Sequence, residues 1–171
     1  MTNMKWIGAF LIILSCGGFG FYQGINYRRE ERSLRDLLRV MDLMECELQY
    51  RLTPLPQLCS LISREFHGPV GGLFRCLGQE LDSQISPDVS SCLHSALIQS
   101  KDLPAQTKRL AEELGMTLGS YDLKGQLIGL DCVKLQCRDL LDTMSQNREG
   151  RIRSYQTLGL CAGAAIAILF V

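Results

Sequence analysis

Charge is missing from both ends of the chain. No charged side chain occurs from Trp6 to Tyr27 or from Ser154 to Val171. A surplus of either sign is missing too. The 18 basic residues balance 18 acidic ones, which leaves no argument for the cationic face that nucleic-acid binding needs. Histidine is scarce: there are only His67 and His94, and neither has a cysteine at ligand spacing, so no metal site is expected. No C-x-x-C occurs among Cys16, Cys46, Cys59, Cys76, Cys92, Cys132, Cys137 and Cys161. Most of these fall on or beside apolar helical stripes, so they read as reduced, buried thiols rather than a disulfide scaffold. Sustained alternation is absent and β-branched residues are sparse, which argues against a sheet. The motifs G-x-x-x-x-G-K-[ST], G-x-S-x-G and H-E-x-x-H are all absent.

The two charge-free stretches read as membrane spans. At about 1.5 Å per residue, 6–27 reaches the roughly 30 Å of a bilayer's hydrocarbon core. Trp6 at one end, and Phe21, Tyr22 and Tyr27 at the other, suit the interfaces. The stretch 154–171 sits near the lower length limit, with Tyr155 at its inner boundary. A cleaved signal peptide competes for the first stretch, with Ser15, Cys16, Gly17 and Gly18 imitating a cleavage site. Against it, the apolar run continues past them into Arg28, Arg29 and Arg32, a cluster that resists translocation. Arginines at 28, 29, 32, 35 and 39, and at 138, 148, 151 and 153, flank the inner edges, whereas only Lys5 lies outside. The positive-inside rule then puts the middle of the chain in the cytoplasm and both termini across the membrane. Small residues four apart, Gly20 and Gly24 in one span and Gly159, Gly163 and Ala167 in the other, permit close helix pairing, within one hairpin or between subunits.

The intervening segment, about 125 residues, is long enough to bury its own core. Its apolar residues recur at helical spacing. Leu34, Leu37, Leu38, Met41, Met44, Leu48 and Leu52 trace one stripe from Ser33, a candidate cap. Pro54 and Pro56 turn the chain. Leu58, Leu61, Ile62 and Phe66 then mark a second helix that ends at His67-Gly68-Pro69. Val70, Leu73, Phe74, Leu77 and Leu81 mark a third. Ser86-Pro87-Asp88 predicts a fourth start, with Ser86 as cap and Pro87 first in the helix, burying Val89, Cys92, Leu93, Ala96 and Leu97. Pro104 opens a fifth, with Leu110, Ala111, Leu114 and Leu118 inward. A long last helix from Asp122 carries Leu123, Leu127, Leu130, Cys137, Leu141 and Met144. The expected organisation is a short extension 1–5, a span 6–27, a cytoplasmic all-helical domain 28–153 and a span 154–171. The fold class is all-α: a bundle of about six helices flanked by N- and C-terminal transmembrane helices.

No converging set of polar groups suggests catalysis. His67 reads as an exposed loop residue and His94 as a surface one. Glu45, Glu47, Glu112 and Glu113 read as solvated helix faces. Gly68-Pro69-Val70-Gly71-Gly72 has no lysine and no preceding strand, so it reads as a helix junction. No catalytic residue and no cofactor is expected.

Three motifs in order carry a resemblance. They are Tyr50-x-x-Thr53-Pro54-Leu55, Leu118-Gly119-x-x-Asp122-x-x-x-Gln126, and Tyr155-x-x-Leu158-Gly159-x-x-x-Gly163. With the terminal spans, the chain resembles the stage III sporulation protein AB family over essentially its whole length. The resemblance implies a protein of endospore formation in the mother-cell membrane around the forespore. It also implies a middle domain similar to that of the platform proteins of type II secretion and type IV pili. The expected partners are membrane lipid, a secretion-type ATPase (stage III sporulation protein AA), other stage III sporulation membrane proteins and a further copy of the chain. The segment Leu127-Ile128-Gly129 departs from the family's more basic pattern, and Gly125 and Gly129 weaken the helix there. Thr53, Pro54 and Leu55 at one corner, and Gly119, Asp122 and Gln126 around another, are the candidate interaction residues, because loops bear function more often than packed helices. The competing function is a membrane-tethered regulatory adaptor unrelated to secretion.

Overall fold

The computed structural model describes residues 25–51, 53–83, 88–118 and 124–146. Among the described residues there are six helices and no strand. Helix α1 covers 25–46 and passes into a π-helical turn, Glu47–Arg51. It is followed by α2 (Leu55–Glu65), α3 (Pro69–Ser83), α4 (Val89–Gln99) and α5 (Ala105–Thr117). Helix α6 covers 124–146. The chain divides into two compact units. Residues 25–29 and 142–146 belong to one, in which the Tyr27 hydroxyl donates to the Met144 carbonyl at 2.6 Å. Glu30–Leu141 is the other.

The core of Glu30–Leu141 is built from the expected stripes. Leu34, Leu37, Val40, Met41 and Met44 of α1 are fully buried. So are Leu58, Cys59 and Ile62 of α2, while Val70, Leu73, Phe74 and Leu77 of α3 are nearly so. Consecutive helices from α2 to α5 pack on one another. Helices α1 and α6 run antiparallel: the Cys137 thiol approaches the Leu34 carbonyl at 3.4 Å, and Lys134 reaches Asp42 and Glu45 further along α1.

Chain reversals follow the prolines and glycines. Pro54 holds the N-cap position of α2, where the Leu58 N–H bonds its carbonyl at 3.0 Å, and Pro56 sits in the first turn, where no donor is needed. Gly68 adopts φ +97°, open to glycine without strain, and accepts the Gly72 N–H at 2.9 Å as α3 begins. Gly71 lies so close to the Phe66 carbonyl that a Cβ there has no room. Gly129 is a second close approach, where a Cβ would collide with the Thr117 side chain. The glycine that weakens α6 therefore also admits α5.

Several expectations are corrected. Ser33 does not cap a helix start; it is buried inside α1. The Arg28-Arg29-Glu30-Glu31-Arg32 run before it contains only helix-tolerant residues, so nothing stops the helix there. Helix α4 is described from Val89, and the expected start at Ser86 and Pro87 lies outside the described residues. Asp88, in extended backbone, takes the cap position without a side-chain cap bond; its carboxylate instead accepts the Ser91 hydroxyl at 3.4 Å. Leu61 is exposed and Cys59 takes its place in the core. Cys46 and Cys132 are exposed thiols, whereas Cys59, Cys92 and Cys137 are buried. Burial, reinforced by Asp82, pushes the Cys59 thiol up to about 12, and burial pushes Cys137 up to about 11. Glu47 is not a solvated acid; it is 7% exposed.

Among the described residues no helix is long and apolar enough to cross a membrane. The expected spans 6–27 and 154–171 lie outside the described residues, apart from 25–27.

Candidate functional site

The first corner is organised by one buried carboxylate. A π turn holds an extra residue in the helical ladder and often marks a functional position. Here it carries Glu47 inward. Glu47 Oε2 accepts the Thr53 hydroxyl at 2.7 Å, and Oε1 accepts an Arg51 guanidinium N–H at 3.3 Å. Glu47 therefore ties the end of α1 to the start of α2. Its surroundings are otherwise open: the Arg51 side chain is exposed, Pro54 is exposed, Leu55 is half-buried, and Tyr50 is 77% exposed. Tyr50 is thus an exposed aromatic in the turn that Glu47 braces.

Thr53, Pro54 and Leu55 thus lie together at this corner, with Thr53 engaged in the fold. Gly119 and Asp122 lie outside the described residues, as do Gly20, Gly24, Gly159 and Gly163. Gln126 is half-buried in the first described turn of α6.

A second polar cluster lies between α1 and α6. The Lys134 side chain is 8% exposed and donates to Asp42 at 2.7 Å and Glu45 at 2.5 Å. Burial opposes its charge. The hydrogen bonds to Asp42 and Glu45, and their negative charges, outweigh that and raise the pKa above the usual 10.5. Lys134 lies four residues after Leu130 and three before Cys137, so helical spacing places it on the core face; its polar type hid it. Glu47 is hidden likewise, although the four-residue step from Glu47 to Arg51 is a signal for an ion pair on a helix.

An open cleft of about 480 Å³ lies between α1 and the end of α2, lined by Asp36, Arg39, Leu43, Glu65, Phe66 and His67. His67 is exposed, as is His94. Among the described residues no group of three or more His, Cys, Asp or Glu is arranged to hold a metal ion.

The chain was compared with known proteins. The family model described as Stage III sporulation protein AB matches residues 5–171. A relative, Stage III sporulation protein AB of Bacillus subtilis (strain 168), is 24% identical over 173 residues, covering 98% of this chain and 99% of the relative. A solved structure of a Stage III sporulation protein AB superposes with a TM-score of 0.65 at 20% identity, covering 71% of this chain and 98% of that chain. That likeness establishes a shared helical fold.

Proposed function

Because this chain belongs to the stage III sporulation protein AB family, we propose that it is a non-catalytic membrane platform in the assembly that joins mother cell and forespore, where it anchors or couples a cytoplasmic ATPase. One observation carries this reading. The antiparallel pairing of α1 with α6 brings Glu30 and Leu141 to the same end of their unit. The charge-free stretches 6–27 and 154–171 flank those two ends in sequence, which supports reading them as a hairpin tether in one bilayer. The arginines beside them hold the domain 28–153 on the cytoplasmic side.

A tether of this kind confines the domain to two dimensions and raises its effective concentration for other membrane-bound proteins. The four-residue spacing of Gly20 and Gly24, and of Gly159 and Gly163, suits close helix pairing, within one hairpin or between subunits. The Thr53-Pro54-Leu55 corner, with Tyr50 beside it, and the turn from Gly119 to Asp122 with Gln126 are the surfaces offered to the ATPase, stage III sporulation protein AA, and to other stage III proteins of the membrane.

The full chain, expressed in a sporulating cell, should sediment with membranes through an alkaline carbonate wash. In inverted vesicles external protease should cut the middle domain; in right-side-out vesicles it should not. Detergent-solubilised chain should co-purify with the ATPase. A chain that is washed off by carbonate, or that is cut from outside, refutes the tether. Failure to retain the ATPase under conditions that keep other stage III proteins bound refutes the coupling.

A further inference from the structure

Helix α6 has a second apolar face that the fold does not use. Its core face carries Leu130, Val133, Lys134 and Cys137. On the opposite face, Ile128, Cys132 and Leu135 stand four and three residues apart, one above another. Ile128 is 57% exposed, Leu135 is 63% exposed, and Cys132 is an exposed free thiol. Single exposed apolar residues need no explanation, but three in a helical stripe make a docking face. Charges close the stripe at each end, with Lys124 before it and Asp139 after it, both exposed.

That order of charges selects the occupant. We propose that α6 of a second copy of this chain packs antiparallel on this stripe. In a parallel pair, Lys124 would meet Lys124 and Asp139 would meet Asp139. In an antiparallel pair each Lys124 faces the other copy's Asp139, so one register makes two opposite-charge contacts. The same register sets Ile128 of each copy against Leu135 of the other. The surface is self-complementary, as a twofold interface requires. It also brings the two Cys132 residues to within one residue's rise, about 1.5 Å along the axis, across a helix–helix gap of about 8–10 Å.

Three apolar side chains per copy bury far less than a standard interface, so the contact is weak between untethered molecules. Two copies held in one bilayer meet at a much higher effective concentration. In this respect the pairing rests on the proposed membrane tether.

The test uses the full chain in native membranes, treated with a short bismaleimide that links thiols by thioether bonds. The expected product has the mass of two copies. It should be lost in Cys132→Ser and retained in Cys46→Ser. Lys124→Asp should lower the yield about tenfold, and the double variant Lys124→Asp/Asp139→Lys should restore it, because charge placement and not charge itself is what matters. All these positions are on the surface, so the variants keep the fold. No two-copy product from the unaltered chain, a product that survives Cys132→Ser, a double variant that stays low, or a Cys132 adduct of another mass overturns the pairing. The tether is read separately, from whether the same chain sediments with the vesicles; a soluble chain that still gives the Cys132 product sinks the tether and keeps the pairing.

Discussion

Lys134 and its two carboxylates make an asymmetric ion cluster, and the asymmetry predicts which half is dangerous to remove. The Lys134 side chain is 8% exposed, whereas Asp42 is 51% and Glu45 35% exposed. In Lys134→Met the cation goes, the apolar stem stays, and the carboxylates turn to water. Two partly solvated, charge-assisted bonds are lost against little desolvation, so the cost should be about 1–2 kcal/mol. In Asp42→Asn/Glu45→Gln the cation stays buried without a counter-charge, and the cost should be about 3–4 kcal/mol. Thermal unfolding of the full chain in detergent, followed by helical circular dichroism, reads the difference. About 4 °C of midpoint should accompany each kcal/mol in a domain of this size. The double carboxamide should therefore melt about 8 °C below Lys134→Met, on the same scale. If the two melt together, or Lys134→Met is the less stable, Lys134 is not a buried charge held by its partners and the reasoning fails.

Four cheaper tests follow from neighbouring parts of the fold. Gly71→Ala drives a Cβ into the Phe66 carbonyl and should cost about 1–3 kcal/mol by melting, while Gly72→Ala, with nothing within 4 Å of its Cβ, should gain up to about 1 kcal/mol from helix propensity. The Thr107 hydroxyl is buried without a hydrogen-bond partner, so Thr107→Val should raise the melting midpoint by the worth of about 1 kcal/mol. Cys46 and Cys132 should react with maleimide at pH 8 well before Cys59 and Cys137, as mass spectrometry of peptides would show. Because the folded thiols of Cys59 and Cys137 are raised from 9.0 to about 12 and about 11, unfolding favours their ionisation; stability should hold up to about pH 9 and fall between there and pH 12, and a Cys59→Ala/Cys137→Ala variant should flatten that fall.

The parts of the fold that were legible are those where one local rule acts alone. The stripes of α3 and α5 were readable because Val70, Leu73, Phe74 and Leu77, and Leu110, Ala111, Leu114 and Leu118, keep helical spacing and are buried on one face. Gly68 and Pro69 end one helix and start the next by backbone chemistry alone. Where two rules compete, the sequence is silent about the winner. Ser33 is a good cap, but capping acts only if the preceding residues leave the helix, and they do not. Ser86 and Asp88 are comparable caps two residues apart. Glu47 reads as solvated, and Lys134 draws no notice in the sequence, for another reason: each is buried beside groups of opposite charge or hydrogen-bonding type. For Lys134 these come from α1, about 90 residues earlier in the chain. The π turn was invisible because one added residue barely disturbs an apolar pattern over five positions.

Under the proposed platform function, the corner residues divide into those that build it and those that would meet a partner. Thr53 spends its hydroxyl on Glu47, a carboxylate with few other contacts to water. Thr53→Val keeps the shape and removes one charge-assisted bond, so it should cost about 1.5–3 kcal/mol of stability. Binding to the ATPase should fall only as far as the folded fraction falls. Tyr50 behaves the opposite way. With 77% of its surface in solvent, it has little to lose within the chain, so Tyr50→Ala should leave the melting midpoint unchanged. An aromatic anchor at an interface is nevertheless worth 1 kcal/mol or more, so capture of the ATPase from detergent extract should drop at least about fivefold. Paired melting and capture measurements on the two variants distinguish these roles. If Tyr50→Ala melts normally and captures normally, the π turn only shapes the fold, and the proposed contact at this corner is refuted.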